Sequence, residues 1–192
     1  MLVAGHDTTG YTLAWTLVEL ARNPPVQERL LAELDAANPG RGPWGPERLG
    51  GLVCLGGVIK EAMRLWPVAA LGSGRVVEGD LPAGEFTVPR GAETLLPFFV
   101  IHRTGIERPD EFVPERWEDP AAADALGRLF LPFASGRRNC VGQNLAMLEL
   151  RMVLAALVQR FSVALAPGAE VTAESFLTMR PAGALLLARP RP

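Results

Sequence analysis

Phe130 to Ala146, F-L-P-F-A-S-G-R-R-N-C-V-G-Q-N-L-A, is the stretch that organises this chain. Within it a loop rich in Pro, Gly, Ser and Arg gives way, just after Cys140, to an apolar run with helical spacing. A sulfur at the start of a helix meets backbone N–H groups that lack an intrahelical acceptor and the positive end of the helix dipole, and both favour negative charge on it. Gly136 and Gly142 bracket the cysteine, and glycine suits a backbone that turns sharply or lies close against a flat ligand. Arg138 adds a fixed positive charge whose fork matches a carboxylate. Taken singly, a cysteine is more often a small buried hydrophobe, and glycines and arginines only punctuate a loop. Here they stand together where a loop becomes a helix.

Phe133, Gly136, Arg138, Cys140 and Gly142 spell F-x-x-G-x-R-x-C-x-G. At every specified position this resembles the haem-thiolate loop of the cytochrome P450 monooxygenases. The resemblance implies that haem b (iron protoporphyrin IX) is the cofactor, that Cys140 is the thiolate ligand of its iron, and that Arg138 binds a haem propionate. Phe133, Gly136 and Gly142 would shape the loop around the cofactor. The implied fold is mainly α with small β-sheets, forming one partial domain over residues 1–192.

Three further segments carry the same resemblance. A-G-H-D-T-T, residues 4–9, is similar to the family's distal oxygen-activating helix, in which small residues such as Gly5 let the helix lie against haem. Asp7 and Thr8 would there form an acid–alcohol pair that relays protons, the delivery that splitting dioxygen requires. These residues also suit a simple helix cap, although Tyr11 and Thr12 stand where a capping box from Thr8 or Thr9 would want Glu or Gln. His6 reads as a solvent-facing or core histidine.

K-E-A-M-R places Glu61 and Arg64 three apart on one helix face, a spacing that on an exposed surface contributes little. F-V-P-E-R-W, residues 112–117, resembles the family's P-E-R-F segment with Trp117 in place of Phe, and implies that Arg116 closes a buried triad with Glu61 and Arg64. By the same resemblance Val68, Ala69 and Leu71 would face an apolar substrate, Leu177 would touch it from a later turn, and Arg75 would bind a propionate. An exposed strand-edge arginine is the other reading of Arg75.

The 192 residues carry a net charge of −2, with Lys60 the one lysine, and give no electrostatic reason to expect nucleic acid. Two cysteines, Cys54 and Cys140, are too few for a disulfide scaffold and read as reduced thiols, hence a reducing compartment. No stretch is long and apolar enough for a membrane span. Apolar residues begin at Met1 with no cap before them, so the chain is expected to open inside an element. Against the resembled family it would be the carboxy-terminal part alone, and any membrane anchor would lie in the amino-terminal part; membrane association and compartment stay open. Periodicity and breakers predict helices over residues 2–22, 26–37, 52–65 and 144–161. They also predict a hairpin over 84–100 turning at Pro89-Arg90-Gly91, a loop-rich stretch over 103–128, and strands in the tail.

These observations support a haem-thiolate monooxygenase that takes electrons from a reductase or ferredoxin and inserts one atom of O2 into an apolar small molecule. Two other expectations stand beside it. One is a truncated haem-binding remnant or incomplete gene model without catalysis, and the other is a structural helical domain with no cofactor.

Overall fold

Asn23 and two prolines set the first boundary. Helix α1 (Leu2–Arg22) ends where the Asn23 N–H donates to Glu19 O at 3.0 Å, and α2 (Pro24–Ala37) begins on prolines at positions where a helix has no use for their missing N–H groups. The computed structural model describes residues 2–192, so the expectation about an opening at Met1 lies outside the described residues. Next come α3 (Pro46–Leu49), α4 (Val53–Leu65), α5 (Phe98–Ile101), a 3-10 turn at Pro114–Trp117, α6 (Pro120–Gly127) and α7 (Gln143–Arg160).

The main core lies among α1, α2, α4 and α7, where Leu20, Leu30, Leu34, Leu55, Val58, Ile59, Leu150, Leu154 and Val158 pack together. A second, smaller cluster joins Trp15 and Val18 of α1 to Val68 and Met179. Helix α1 therefore passes between two cores, with Leu13, Leu17 and Leu20 packed against the first and Trp15 and Val18 in the second. Trp15 stacks on Trp66 at 4.0 Å and donates from Nε1 to the Met179 carbonyl at 3.2 Å. Helix α4 is buried along almost its whole length, and Gly57 is the reason the 3-10 turn can press onto it. A Cβ there would stand 2.8 Å from Pro114 O, closer than real side chains come.

Helix α7 buries Leu150, Leu154, Ala155 and Val158, whereas Leu145 is 52 % exposed and Leu148, Met152, Leu157 and Phe161 are half-buried. The helix is apolar around most of its circumference, so its pattern names a helix without naming the inward face. Phe161 belongs to the strand that follows.

Among the described residues the strands form four two-stranded antiparallel ladders. β1 (Arg75–Val76) pairs with β4 (Glu93–Thr94), β2 (Leu81–Ala83) with β3 (Phe86–Val88), β5 (Phe161–Leu165) with β8 (Leu186–Pro190), and β6 (Thr172–Ser175) with β7 (Met179–Ala182). This corrects the hairpin expected over 84–100. The turn at 89–91 exists, with Gly91 at φ 85°, but it joins strands of two different ladders, and residues 98–101 are helical. The loop-rich stretch 103–128 also holds the 3-10 turn and α6, with the Asp119 side chain accepting from Ala121 N–H at 2.9 Å. Both cysteines are free thiols. Among the described residues no helix is long and apolar enough to cross a membrane.

Candidate functional site

The loop before α7 is closed by one backbone bond: Cys140 N–H donates to Phe133 O at 2.9 Å, while the Phe133 ring packs on the main core. Between them Ala134 (φ 58°) and Gly136 (φ 69°) both hold left-handed backbone. For glycine that costs little, whereas for alanine it stores about 1 kcal/mol, the kind of strain that accompanies imposed site geometry. Gly142, by contrast, sits at φ −89°, which any residue adopts, so the sharp-turn reason offered for it does not apply. Its missing side chain lies beside the sulfur instead, since a Cβ there would be 3.9 Å from Cys140 Sγ.

The Cys140 side chain is exposed and stands three residues before the first residue of α7. No side chain caps that helix and no acid occupies its first turn, so its positive end is uncompensated where the sulfur lies. Val141 is 91 % exposed beside it, and Arg138, also exposed, makes no ion pair among the described residues. Nor do the described residues gather three or more His, Cys, Asp or Glu into a metal-holding group. One sulfur cannot hold a bare ion, but it suits a metal whose other ligands arrive with it in an apolar macrocycle bearing carboxylates. The residues present fit haem.

Glu61, Arg64 and Arg116 are brought together in the interior. Arg64 grips the carboxylate with both tines, Nε to Oε2 and Nη2 to Oε1, each at 2.9 Å. Arg116 Nε donates to Oε1 at 3.1 Å, Val113 N–H to Oε1 at 3.0 Å, and Trp117 Nε1 to Oε2 at 2.9 Å. Tryptophan at a position where the resembled segment has phenylalanine thus adds a donor to the shared carboxylate. The side chains of Glu61 and Arg64 are 0 % and 1 % exposed, and that of Arg116 10 %. Arg64 also donates to the carbonyls of Pro109 at 2.7 Å and Glu111 at 3.0 Å, tying α4 to the segment that leads toward the cysteine loop.

Asp7 and Leu177 share a cleft of about 650 Å³ between the first turns of α1 and the β6–β7 hairpin, a volume in the range of small-molecule sites. Tyr11, Glu174 and Arg180 line it too, and sequence reasoning missed them; the available signal was the four-residue spacing that sets Tyr11 on the Asp7 face of a helix. Asp7 Oδ1 lies 2.9 Å from His6 Nδ1, while the Thr8 hydroxyl donates to Ala4 O at 2.6 Å. No hydrogen bond joins Asp7 to Thr8 among the described residues. Gly5 is exposed, with nothing within 4 Å of where a Cβ would stand, so no packing in this chain accounts for a glycine there.

The remaining candidates are scattered. Val68 is 6 % exposed and packs in the second core; Ala69 is exposed and Leu71 is 61 % exposed. Arg75 is half-buried on β1, with its guanidinium unpaired among the described residues.

The family profile described as Cytochrome P450 matches residues 1–188. The chain is 37 % identical over 170 residues to "Cytochrome P450 27C1" of Danio rerio, covering 87 % of this chain and 31 % of that protein. It is 37 % identical over 180 residues to "Cytokinin hydroxylase" of Arabidopsis thaliana, covering 92 % of this chain and 35 % of that one. A crystal structure of a cytochrome P450 (CYP102L1) superposes with a TM-score of 0.90 at 33 % identity, covering 99 % of this chain and 44 % of that one. The chain thus spans about a third of the length of the curated relatives it matches. With a family match over nearly its whole length and a fold shared with a solved member, the chain belongs to the cytochrome P450 family and carries part of that fold.

Proposed function

We propose that this chain supplies the haem-thiolate and oxygen-activating part of a monooxygenase that inserts one atom of O2 into an apolar organic substrate, with electrons from a reductase or ferredoxin. The observation that carries the proposal is the Cys140 sulfur, exposed at the uncapped amino end of α7 inside the matched loop. When bound, haem b supplies the redox chemistry that reduces dioxygen and oxidises the substrate. Every other task belongs to the chain. Cys140 would ligate the iron, and the unpaired forks of Arg138 and Arg75 would take the propionates. Gly142 and Gly5 leave room for a flat ligand where side chains would intrude.

Asp7 opens on the cleft and sits against His6 at 2.9 Å, and both are exposed, so its carboxylate can trade a proton with solvent at Oδ1. Thr8 has committed its proton to Ala4 O but keeps lone pairs on Oγ1, so it would accept a hydrogen bond from a neighbouring O–H group and hold it in place. Leu177 and Phe176, 86 % and 104 % exposed at the hairpin tip, give the cleft an apolar wall for substrate. The triad of Glu61, Arg64 and Arg116 has a supporting role: it braces the approach to the cysteine loop.

The same exposure favours a second reading, haem binding without turnover, because apolar side chains this open ask for further protein to cover them. The test is to supply haem, reduce, and record the carbon monoxide difference spectrum. A strongly red-shifted Soret band that vanishes in Cys140→Ala is expected. A band that survives the substitution would refute the ligand assignment, and turnover with a reductase separates the two readings.

A further inference from the structure

His102 is the one buried histidine, 1 % exposed, and it closes the turn after α5, its N–H donating to Phe98 O at 2.9 Å. Its ring lies between Phe98 and Phe130, with centroids 5.8 and 5.4 Å away. The Leu131 N–H donates to Nε2 at 2.9 Å, so Nε2 carries no proton and Nδ1 does. That Nδ1 is buried and closes no hydrogen bond of good geometry, although the Met63 and Arg64 backbone lies near enough to favour its proton, and the hollow against the ring, walled by Arg64, Trp117 and Phe130, is too tight for a water molecule. Phenylalanine or leucine would fill the space without stranding a donor. What an imidazole adds is the acceptor at Nε2.

That acceptor lies on a continuous path. Glu61 holds Arg64 at 2.9 Å, Arg64 Nη1 donates to His102 O at 3.3 Å, and the His102 ring holds Leu131. Two residues further on, Phe133 O accepts the Cys140 N–H at 2.9 Å. A parallel brace runs from Glu61 through Trp117 to Phe130, whose rings are 4.7 Å apart. Burial, and then the Arg64 charge, lower the ring to a pKa of about 4, so the acceptor persists across the neutral range.

We propose that His102 is a positioning residue for the cysteine ligand: its uncharged ring clamps the first amide of the loop and thereby sets where the Cys140 sulfur stands. The proposal rests on the haem-thiolate reading of Cys140 given above. Amide hydrogen exchange at Leu131 and Cys140, measured without haem in the parent, His102→Phe and His102→Gln, tests the clamp. Parent protection at Leu131 should fall by on the order of tenfold in His102→Phe and return in His102→Gln, whose side-chain oxygen reaches the Nε2 position. With haem and carbon monoxide, His102→Phe should shift intensity from the red-shifted to the unshifted band, and His102→Gln should restore the parent ratio. A merely space-filling role would move neither the ratio nor its rescue.

The proposal is overturned if His102→Phe keeps both parent protection and parent ratio, or if Leu131 in the parent exchanges as fast as the exposed Ser135. Should His102→Phe not fold, the parent exchange rates and the Gln variant decide. A parent without the shifted band sinks the haem-thiolate reading alone, because the exchange arm still judges the clamp.

Discussion

Replacing Glu61 by glutamine changes one buried carboxylate oxygen to an NH2 group and leaves the volume almost untouched, so any effect is electrical and not a cavity. If the amide nitrogen takes the Oε2 place, Arg64 Nε and Trp117 Nε1 lose their acceptor; if it takes the Oε1 place, Arg64 Nη2, Val113 N–H and Arg116 Nε lose theirs. At least two donors are stranded in either case, and two guanidinium groups lose the negative charge they share. Breaking a buried pair from one side costs about 3–5 kcal/mol, and two charge-assisted hydrogen bonds at about 1.5–3 kcal/mol each give an overlapping range of about 3–6 kcal/mol. Against a domain stability of about 5–15 kcal/mol this is a large fraction.

With a urea slope of about 2 kcal/mol per molar, the midpoint followed by far-ultraviolet circular dichroism should fall by about 1.5–2.5 M. Arg116→Met should cost much less in the Glu61→Gln background than in the parent, since both act on one carboxylate. A midpoint shift below about 0.3 M in Glu61→Gln would refute the reasoning, because it would mean that the carboxylate balances nothing that matters to folding.

Two further outcomes follow from buried groups. His102, lowered from 6.5 to about 4 by burial and then by Arg64, is neutral in both folded and unfolded chains above pH 6.5, so its contribution is complete there. Between pH 6.5 and 4 the unfolded chain binds the proton first, so the stability of the parent relative to His102→Gln should drop by about 3 kcal/mol across that window and level off below it; a flat difference in urea titrations would contradict this. Cys54 is buried and burial pushes its thiol up to about 11, whereas Cys140 is exposed. A thiol reagent at pH 8 should therefore label one cysteine quickly and the second only on unfolding, with Cys140→Ala abolishing the fast phase.

What could be read along the chain was whatever local chemistry imposes. The spacing of Glu61 and Arg64 puts them on one side of any helix that holds both, the prolines after Asn23 lack the N–H that a continuing α1 would need, and the loop before α7 carries its residue types at fixed separations. The strand partners were not readable. β2 and β3 are exposed at nearly every position, so no buried face sets their register, and β1 meets β4 across the β2–β3 ladder. Nor was the inward side of α7, where Leu150, Leu154 and Val158 are buried while equally apolar neighbours stay open.

The roles of His102 and Trp117 belong to the same class. One partner of His102 is a backbone amide 29 residues away, and Trp117 reaches a carboxylate 56 residues away. Backbone amides carry no residue-type signature, and a tryptophan in a P-E-R-W turn looks like packing until the carboxylate beneath it is in view. Residue types and spacing alone determined which side chains could bear the chemistry. Which of them touch, and which are sealed from water, was decided by helices closing on one another, because burial and hydrogen bonding depend on distances that the order of residues does not specify.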